Sequence, residues 1–409
     1  MARFEYLTSA AAYAGSSLFW IALALFMNAG QYGHINKLQA ALLLVPSFLS
    51  LRTYDLVFYL RRNFQTDDLD SFLIAIGVES VAAAVCTLLV VAFFSVGAAG
   101  TLAGTNSITW VLVAAFLASI PVVQGASPAL LRCMKLDGHV AWSNLASGAA
   151  FLAGFALLRI VPRPSPIFIL TVWLAANAVR PLFLIGCAVA AAGHARIVAR
   201  RPWRTGLGLG DLLRFLTAGQ VTNMFKNGAL SLETLLLGTI ASNATVAVFR
   251  LSRSFLNLPT FMFNVTYQKS FLALAASGSQ AEVDQVLRHF DRHVFRIYVV
   301  MTPLTFLAVG AFAFIRKKAE YGGLLIGFPL MAIAVLPSIL QNAVIAALTL
   351  NGRFLGVNAA YVGGFVVLAA GCVAISSFAS IYSFAAVLFL SYVARYLLMR
   401  YWLARQSKG

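Results

Sequence analysis

The side chains in this chain that could do chemistry are charges in an apolar setting. Between Asp211 and Lys269, Lys226, Glu233, Arg250 and Arg253 stand among apolar runs such as Leu235 to Ile240 and Phe255 to Phe263. A charge at the centre of a bilayer costs about 3 kcal/mol even on the lenient insertion scale, so such residues face an internal cavity or one another. The stretch therefore reads as the lining of a polar site inside a membrane protein. Two plainer roles compete with it: snorkelling at helix ends, and one internal ion pair that locks two helices. Four charges on two consecutive spans weigh against those roles for the group.

The elements that must position these side chains are membrane spans. Of the 409 residues, 61% are hydrophobic and 11% charged, against about 25% charged in soluble domains, and mean hydropathy is +0.85. A span needs about 20 apolar residues, so the length admits about a dozen spans with short loops and no room for a soluble domain. This predicts an all-α polytopic membrane protein. Arg3 precedes the first apolar run, Tyr6 to Met27, which reads as span one rather than a cleaved signal peptide because other spans follow. The formal charge of +17 does not mark a nucleic-acid binder, since no Lys/Arg stripe with interleaved aromatics lies on a soluble segment. Anionic head groups of the inner leaflet are the better partner. Cys86, Cys133, Cys187 and Cys372 stand singly, without C-x-x-C spacing, and read as small buried hydrophobes.

Apolar windows place twelve spans. Six form an N-terminal six-helix bundle (1–192): Tyr6 to Asn28, Leu38 to Leu60, Ser71 to Phe94, Ile108 to Leu131, Val140 to Val161 and Ile167 to Ala192. After a basic cytoplasmic linker (193–211), six more form a C-terminal six-helix bundle (212–409): Leu212 to Ile240, Thr245 to Leu272, Val294 to Ile315, Leu324 to Leu350, Phe354 to Ser376 and Ile381 to Leu403. With the N-terminus inside, the inner segments hold Arg61, Arg62, Arg132, Lys135, the linker arginines, Arg288, Arg292, Arg296, Arg353, Arg400, Arg405 and Lys408. The outer loops hold only Lys37, Arg163, Arg316, Lys317 and Lys318. The asymmetry puts both termini in the cytoplasm, and the Arg316 to Lys318 run dissents from it. Gly206, Gly208 and Gly210 follow no strand and read as a flexible linker, not a phosphate loop. Ser277 to Arg296 reads as a short amphipathic inner helix with Val283, Val286, Leu287 and Phe290 on one side. His289 and His293, at i and i+4, lack the Glu of an H-E-x-x-H motif and read as a solvated face, so no metal site is expected.

The two halves repeat. Val45-Pro46-Ser47-Phe48 and Thr53-Tyr54 recur 213 residues later as Leu258-Pro259-Thr260-Phe261 and Thr266-Tyr267 (46 to 259). Asp137-Gly138-His139 recurs as Asn351-Gly352-Arg353 at an offset of 214 (137 to 351), and Arg180 matches Arg395 at 215 (180 to 395). Arg395 sits nearer the inner end, where snorkelling is easy, and this keeps a structural role open for its repeat partner Arg180. An even-numbered duplicated unit gives halves of the same orientation, and transporters of that kind bind cargo between them.

Span one ends in Gly30-Gln31-Tyr32-Gly33. The second half opens with Leu232-Glu233-Thr234-Leu235-Leu236-Leu237-Gly238, the short Ala241 to Ala244 turn, Val248-Phe249-Arg250-Leu251, Leu258-Pro259 and the inner helix, and Asn342 to Asn358 follow later. Over nearly the whole chain this pattern resembles the polysaccharide exporters and Wzx-type lipid-linked oligosaccharide flippases of the MOP superfamily. It departs from them in having Glu233 where the family commonly has Asp, and Ala247 to Phe249 where it has Gly-x-Tyr. The resemblance implies two pseudo-symmetric six-helix bundles of the MOP type. It also implies a flippase that moves an undecaprenyl-diphosphate-linked oligosaccharide, an O-antigen or exopolysaccharide repeat, across a bacterial inner membrane by alternating access. A polysaccharide polymerase and glycosyltransferases are the partners it implies.

A diphosphate suits Arg forks, which bind phosphate oxygens bidentately. The candidate cargo-binding cations are Arg52, Arg180, Lys226, Arg250 and Arg253. Asp55, Glu79 and Glu233 are candidates for binding a coupling proton or sodium, or for balancing the cations when the site is empty. Arg52 and Asp55 are three apart, so a local ion pair between them is an equal reading. Two other classes compete with the flippase. A multidrug or cation antiporter of the related extrusion family needs an acidic, aromatic cavity, and the excess of cations argues against it. A membrane glycosyl- or acyltransferase needs a catalytic motif on a sizeable loop, and no triad, paired carboxylates or metal constellation is visible. The chain therefore reads as a transporter without a cofactor and not as an enzyme.

Overall fold

The computed structural model describes residues 2–51, 53–64, 66–96, 108–162, 164–194, 209–259, 280–316, 321–350 and 353–405. Among them the regular structure is helical throughout: α1 (Ala2–Ala24), α2 (Ala29–Leu49), α3 (Thr53–Phe64), α4 (Asp68–Val96), α5 (Ile108–Ser119), α6 (Ala126–Cys133), α7 (Asp137–Ile160), α8 (Pro166–His194), α9 (Leu209–Ile240), α10 (Asn243–Asn257), α11 (Gln280–Arg316), α12 (Leu324–Leu350), α13 (Phe354–Ile375) and α14 (Ile381–Ala404). Eight helical stretches among the described residues are long and apolar enough to cross a membrane. The protein is an all-α polytopic membrane protein, and its helices follow the expected spans in order.

Three spans differ from their sequence reading. Span two is two helices, α2 and α3, with Ser50 and Leu51 outside both, and α2 starts nine residues before the expected Leu38. The polar run His34, Asn36, Lys37 and Gln39 depresses the apolar window there, yet Asn36 and Gln39 are buried. Span four is likewise broken. A 3-10 turn, Ile120–Val122, with Pro121 at its start separates α5 from α6. The inner amphipathic helix and span nine are, by contrast, the single 37-residue helix α11. No glycine or proline stands between Gln280 and Pro303 to part them, and the helix runs about 55 Å against a hydrocarbon core of about 30 Å. Its expected sides hold: Leu287 and Phe290 are buried, and Arg288, His289, Arg292 and His293 are exposed.

The chain divides into two compact units, one of residues 1–19 and 38–232, the other of residues 20–37 and 233–409. Residues 20–37 thus fall in the second unit and 212–232 in the first, so α1, α2 and α9 each contribute to both. In the first unit, α3 packs on α4 and α6, and α7 packs on α8. Leu56, Val57 and Leu60 of α3 share a core with Phe72, Ala75, Leu130, Leu131, Val140, Leu184 and Ala188. Gly15 and Gly148 let α1 and α7 touch along their backbones: a Cβ on Gly15 would lie 3.0 Å from the Gly148 Cα. Small residues at such crossings are how helices gain contact where no hydrophobic force drives them together.

In the second unit, α14 packs on α12 and α13, and α10 lies against α11, α12 and α14. Ser380 and Ser383 close a capping box at the start of α14, which satisfies backbone donors the helix cannot. Phe249 meets Phe384 edge-on at 5.3 Å, and Phe255 meets Phe312 at 5.9 Å. These edge-to-face pairs hold α10 with its arginines inward.

Candidate functional site: a buried arginine cluster

The second unit gathers three guanidinium groups and one carboxylate in its interior. α10 begins at Ser242, whose side chain caps the Thr245 N–H at 3.2 Å. Its apolar residues Val246, Phe249 and Phe255 are buried, and Arg250 and Arg253, three apart, share a face. α9 supplies Glu233 and Thr234, the second half of α1 with α2 supplies Trp20, Tyr32 and Asn36, and α13 and α14 supply Tyr361, Tyr392 and Arg395.

Arg250 donates from Nε to Asn36 Oδ1 at 2.9 Å and from Nη1 to Thr234 Oγ1 at 3.5 Å. Asn36 in turn donates to the Tyr32 carbonyl at 2.8 Å, and the Tyr32 ring is packed edge-on by Trp20 at 6.1 Å. Arg253 Nη2 lies 3.6 Å from Glu233 Oε2, and the Tyr392 hydroxyl donates to Glu233 Oε1 at 2.5 Å. Arg395 is held by two rings, its guanidinium carbon 5.0 Å from the Tyr392 centroid and 5.4 Å from that of Tyr361. Glu233 is fully buried, and Arg250 and Arg395 are 8% and 3% exposed. The formal balance of the cluster is three positive against one negative. Guanidinium groups tolerate such a setting because they stay charged, stack on aromatic faces and are less strongly hydrated than an ammonium.

The structure brings together Arg250, Arg253 and Glu233 from the residues singled out in the sequence. Lys226, on α9, is exposed and belongs to the first unit, as does the half-buried Arg180 of α8. Glu79, on α4 of the first unit, is fully buried. Its Oε1 accepts from the Gly125 N–H at 2.7 Å, the Ala126 N–H at 3.0 Å and the Thr53 hydroxyl. It thereby fastens the start of α6, below the break in span four, to α3. Arg52 and the Asp55 side chain lie outside the described residues, as do the linker glycines Gly206 and Gly208.

One expectation is corrected. Arg395 does not snorkel; it is among the most buried charges of the second unit, with Gly364 of α13 making room for its stem. The insertion cost that marked Arg250 marks Arg395 equally. Tyr32, Asn36, Tyr361 and Tyr392 carry no formal charge, so the insertion cost that singles out a charge in a span does not single them out. At the far end of α14, Arg400 pairs with Asp291 of α11 and donates to the Tyr396 hydroxyl at 2.8 Å. His289 and His293 stack at 6.2 Å on the exposed side of α11. Among the described residues no three His, Cys, Asp or Glu come together as a metal site.

No protein-family model and no curated protein matches the sequence. Solved structures do. An inward-facing conformation of a multidrug-resistance MATE family transporter of the MOP superfamily aligns over 99% of this chain and 95% of its own, with TM-score 0.63 and 12% identity. An outward-facing conformation, described in the same words, aligns over 98% and 95% with TM-score 0.65 and 12% identity. A MOP superfamily transporter from Pyrococcus furiosus, described as having a binding pocket of reverse polarity that suggests a different function, aligns over 99% and 96% with TM-score 0.65 and 12% identity. The chain has the MOP-type transporter fold. Within that fold, the arginine cluster occupies the unit built from the second half of the chain together with residues 20–37.

Proposed function

We propose that the chain is a flippase that moves an undecaprenyl-diphosphate-linked oligosaccharide from the inner to the outer leaflet of a bacterial inner membrane by alternating access. The observation that carries this reading is the sign of the cluster: the buried Arg250 and Arg395 and the partly buried Arg253, 14% exposed, against the buried Glu233. Each buried cation costs several kcal/mol of hydration, and Ser or Asn would join helices at less cost. A net positive interior earns that cost when it meets an anion. A lipid diphosphate is such an anion, whereas a cationic drug would be repelled. The MOP-type fold supports transport over catalysis. The similar structures described as inward- and outward-facing support alternating access, and the Pyrococcus furiosus protein, described as having a binding pocket of reverse polarity, supports a cargo of other charge on this fold.

Glycan export from cells carrying single Ala variants tests the reading. Arg52→Ala, Arg180→Ala, Arg250→Ala and Arg253→Ala should each lower export while the protein still reaches the membrane. Lys at the same positions should restore only part of it, because an ammonium keeps the charge and loses the bidentate fork. Normal export in all four Ala variants, or export of an organic cation that depends only on Asp55, Glu79 or Glu233, would hand the assignment to the drug antiporter.

A further inference from the structure

Arg395 differs from its two neighbours in what holds it. Arg250 donates to Asn36 and Thr234, and Arg253 faces Glu233. Arg395 meets no carboxylate among the described residues, and its Nε, like that of Arg253, has no acceptor there. What it has is a cradle of rings and a glycine. Tyr361 and Tyr392 lie at 5.4 and 5.0 Å from its guanidinium carbon. A Cβ on Gly364 would collide with its Cγ and come within 2.5 Å of its Nε, so glycine is what lets the stem lie flat on α13. The Gly364 carbonyl is itself occupied by the Ser391 hydroxyl at 2.7 Å and leaves the arginine no easy backbone acceptor.

Cation–π contacts act on the face of a guanidinium, whereas its five N–H donors radiate in its plane. Two aromatic partners therefore fix orientation and charge without consuming the donors. A buried charge in a core that needs it only for packing gains its hydrogen bonds from neighbours, because unmade bonds cost the full desolvation of each donor. The single acidic group nearby does not fill this role. Glu233 is engaged by Tyr392 at Oε1 and by Arg253 at Oε2, and Arg395 shares the Tyr392 ring with this pair without an ion pair of its own to Glu233. The arrangement is that of a pre-oriented fork awaiting an oxyanion.

We propose that Arg395 is an oxyanion-binding residue of the second unit, reading a phosphoryl group through its in-plane N–H fork while Tyr361 and Tyr392 hold it in orientation. That the phosphoryl group belongs to a lipid diphosphate rests on the proposed function; that an oxyanion binds there does not. The experiment uses the full chain purified in detergent, with inorganic pyrophosphate and farnesyl diphosphate as probes and the unfolding midpoint as readout. A ligand that binds the folded state raises the midpoint with the logarithm of its concentration. Phosphate salts also stabilise proteins by surface exclusion, so each titration is read against the same titration of Arg395→Gln.

The wild type should gain stability beyond that variant with farnesyl diphosphate, and Arg395→Lys should bind it about tenfold more weakly because the fork is lost. If Arg395→Gln fails to fold, Arg395→Lys, which keeps the charge, carries the comparison. Wild-type binding in either variant, or no binding of either probe by the wild type, overturns the proposal. Pyrophosphate binding as tightly as farnesyl diphosphate would keep the oxyanion site and argue against a lipid-linked cargo. Diphosphate binding through Arg395 in a chain that exports no glycan would likewise keep the site and end the flippase reading.

Discussion

Glu233 stands against Arg253 and the Tyr392 hydroxyl in the interior of the second unit, so its removal does more than delete a contact. Breaking a buried pair from one side strands the other charge, which costs about 3–5 kcal/mol. Glu233→Ala should therefore lower the unfolding midpoint of the detergent-solubilised protein sharply. Glu233→Gln should lower it less, because an amide oxygen still accepts from Tyr392. Equal stability of Glu233→Ala and wild type would show that Arg253 finds its compensation elsewhere. Glu233 and the α10 arginines were legible in the sequence because a charge among apolar residues is rare and expensive. Their partners were not, since Tyr and Asn are common in spans and only coordinates show that Asn36 meets Arg250, 214 residues away. Glu79 teaches the opposite lesson. Its charge was equally legible, but its three donors, two of them backbone N–H groups at the start of α6, fit a fastening role that no spacing rule announces.

At the scale of elements, the breaks in spans two and four matter more than span count, because they place α2, α3 and α6. Hydropathy saw apolar length and missed the breaks, which rest on local backbone geometry. The repeat was more informative. α10 starts 214 residues after α2 (29 to 243), one more than the offset between Pro46 and Pro259, and α14 starts 215 after α8 (166 to 381), the offset between Arg180 and Arg395. Close backbone contact fixes the first of these positions. A Cβ on Gly33 of α2 would fall on the carbonyl of Asn243, the first residue of α10, and backbone cannot rotate away. Gly33→Ala should destabilise by about 1–3 kcal/mol or more. Gly77→Ala, in mid-α4 with nothing within 4 Å, should be neutral or stabilise by up to about 1 kcal/mol through helix propensity. The contrast is read by thermal unfolding of the two variants side by side, and a Gly33→Ala midpoint at or above wild type would contradict the packing.

For the whole molecule, orientation is a matter of where charge can go. Cytoplasmic loops accumulate Lys and Arg because translocating them is costly, and the one run against the trend, Arg316 to Lys318, needed a reason. The structure supplies it for Arg316. Its guanidinium donates to the carbonyl of Met27, just past the end of α1, with Tyr321 donating to the same carbonyl at 3.3 Å and stacking its ring 5.8 Å from the Arg316 guanidinium carbon. A helix end leaves unsatisfied carbonyls and a partial negative charge, and a cation there serves both. Arg316 thus has a structural role independent of sidedness, and the expected orientation rests on the other loop charges. Reporter fusions after Arg204 and after Gly104 should accordingly report cytoplasm and periplasm, and both termini should be cytoplasmic. Arg316→Ala should lower thermal stability without changing any fusion's sidedness, because the arginines of the expected inner segments still outnumber those of the expected outer loops. If that variant inverted the reporters, Arg316 would be a determinant of orientation after all, and the twelve-span arrangement with cytoplasmic ends would have to be redrawn.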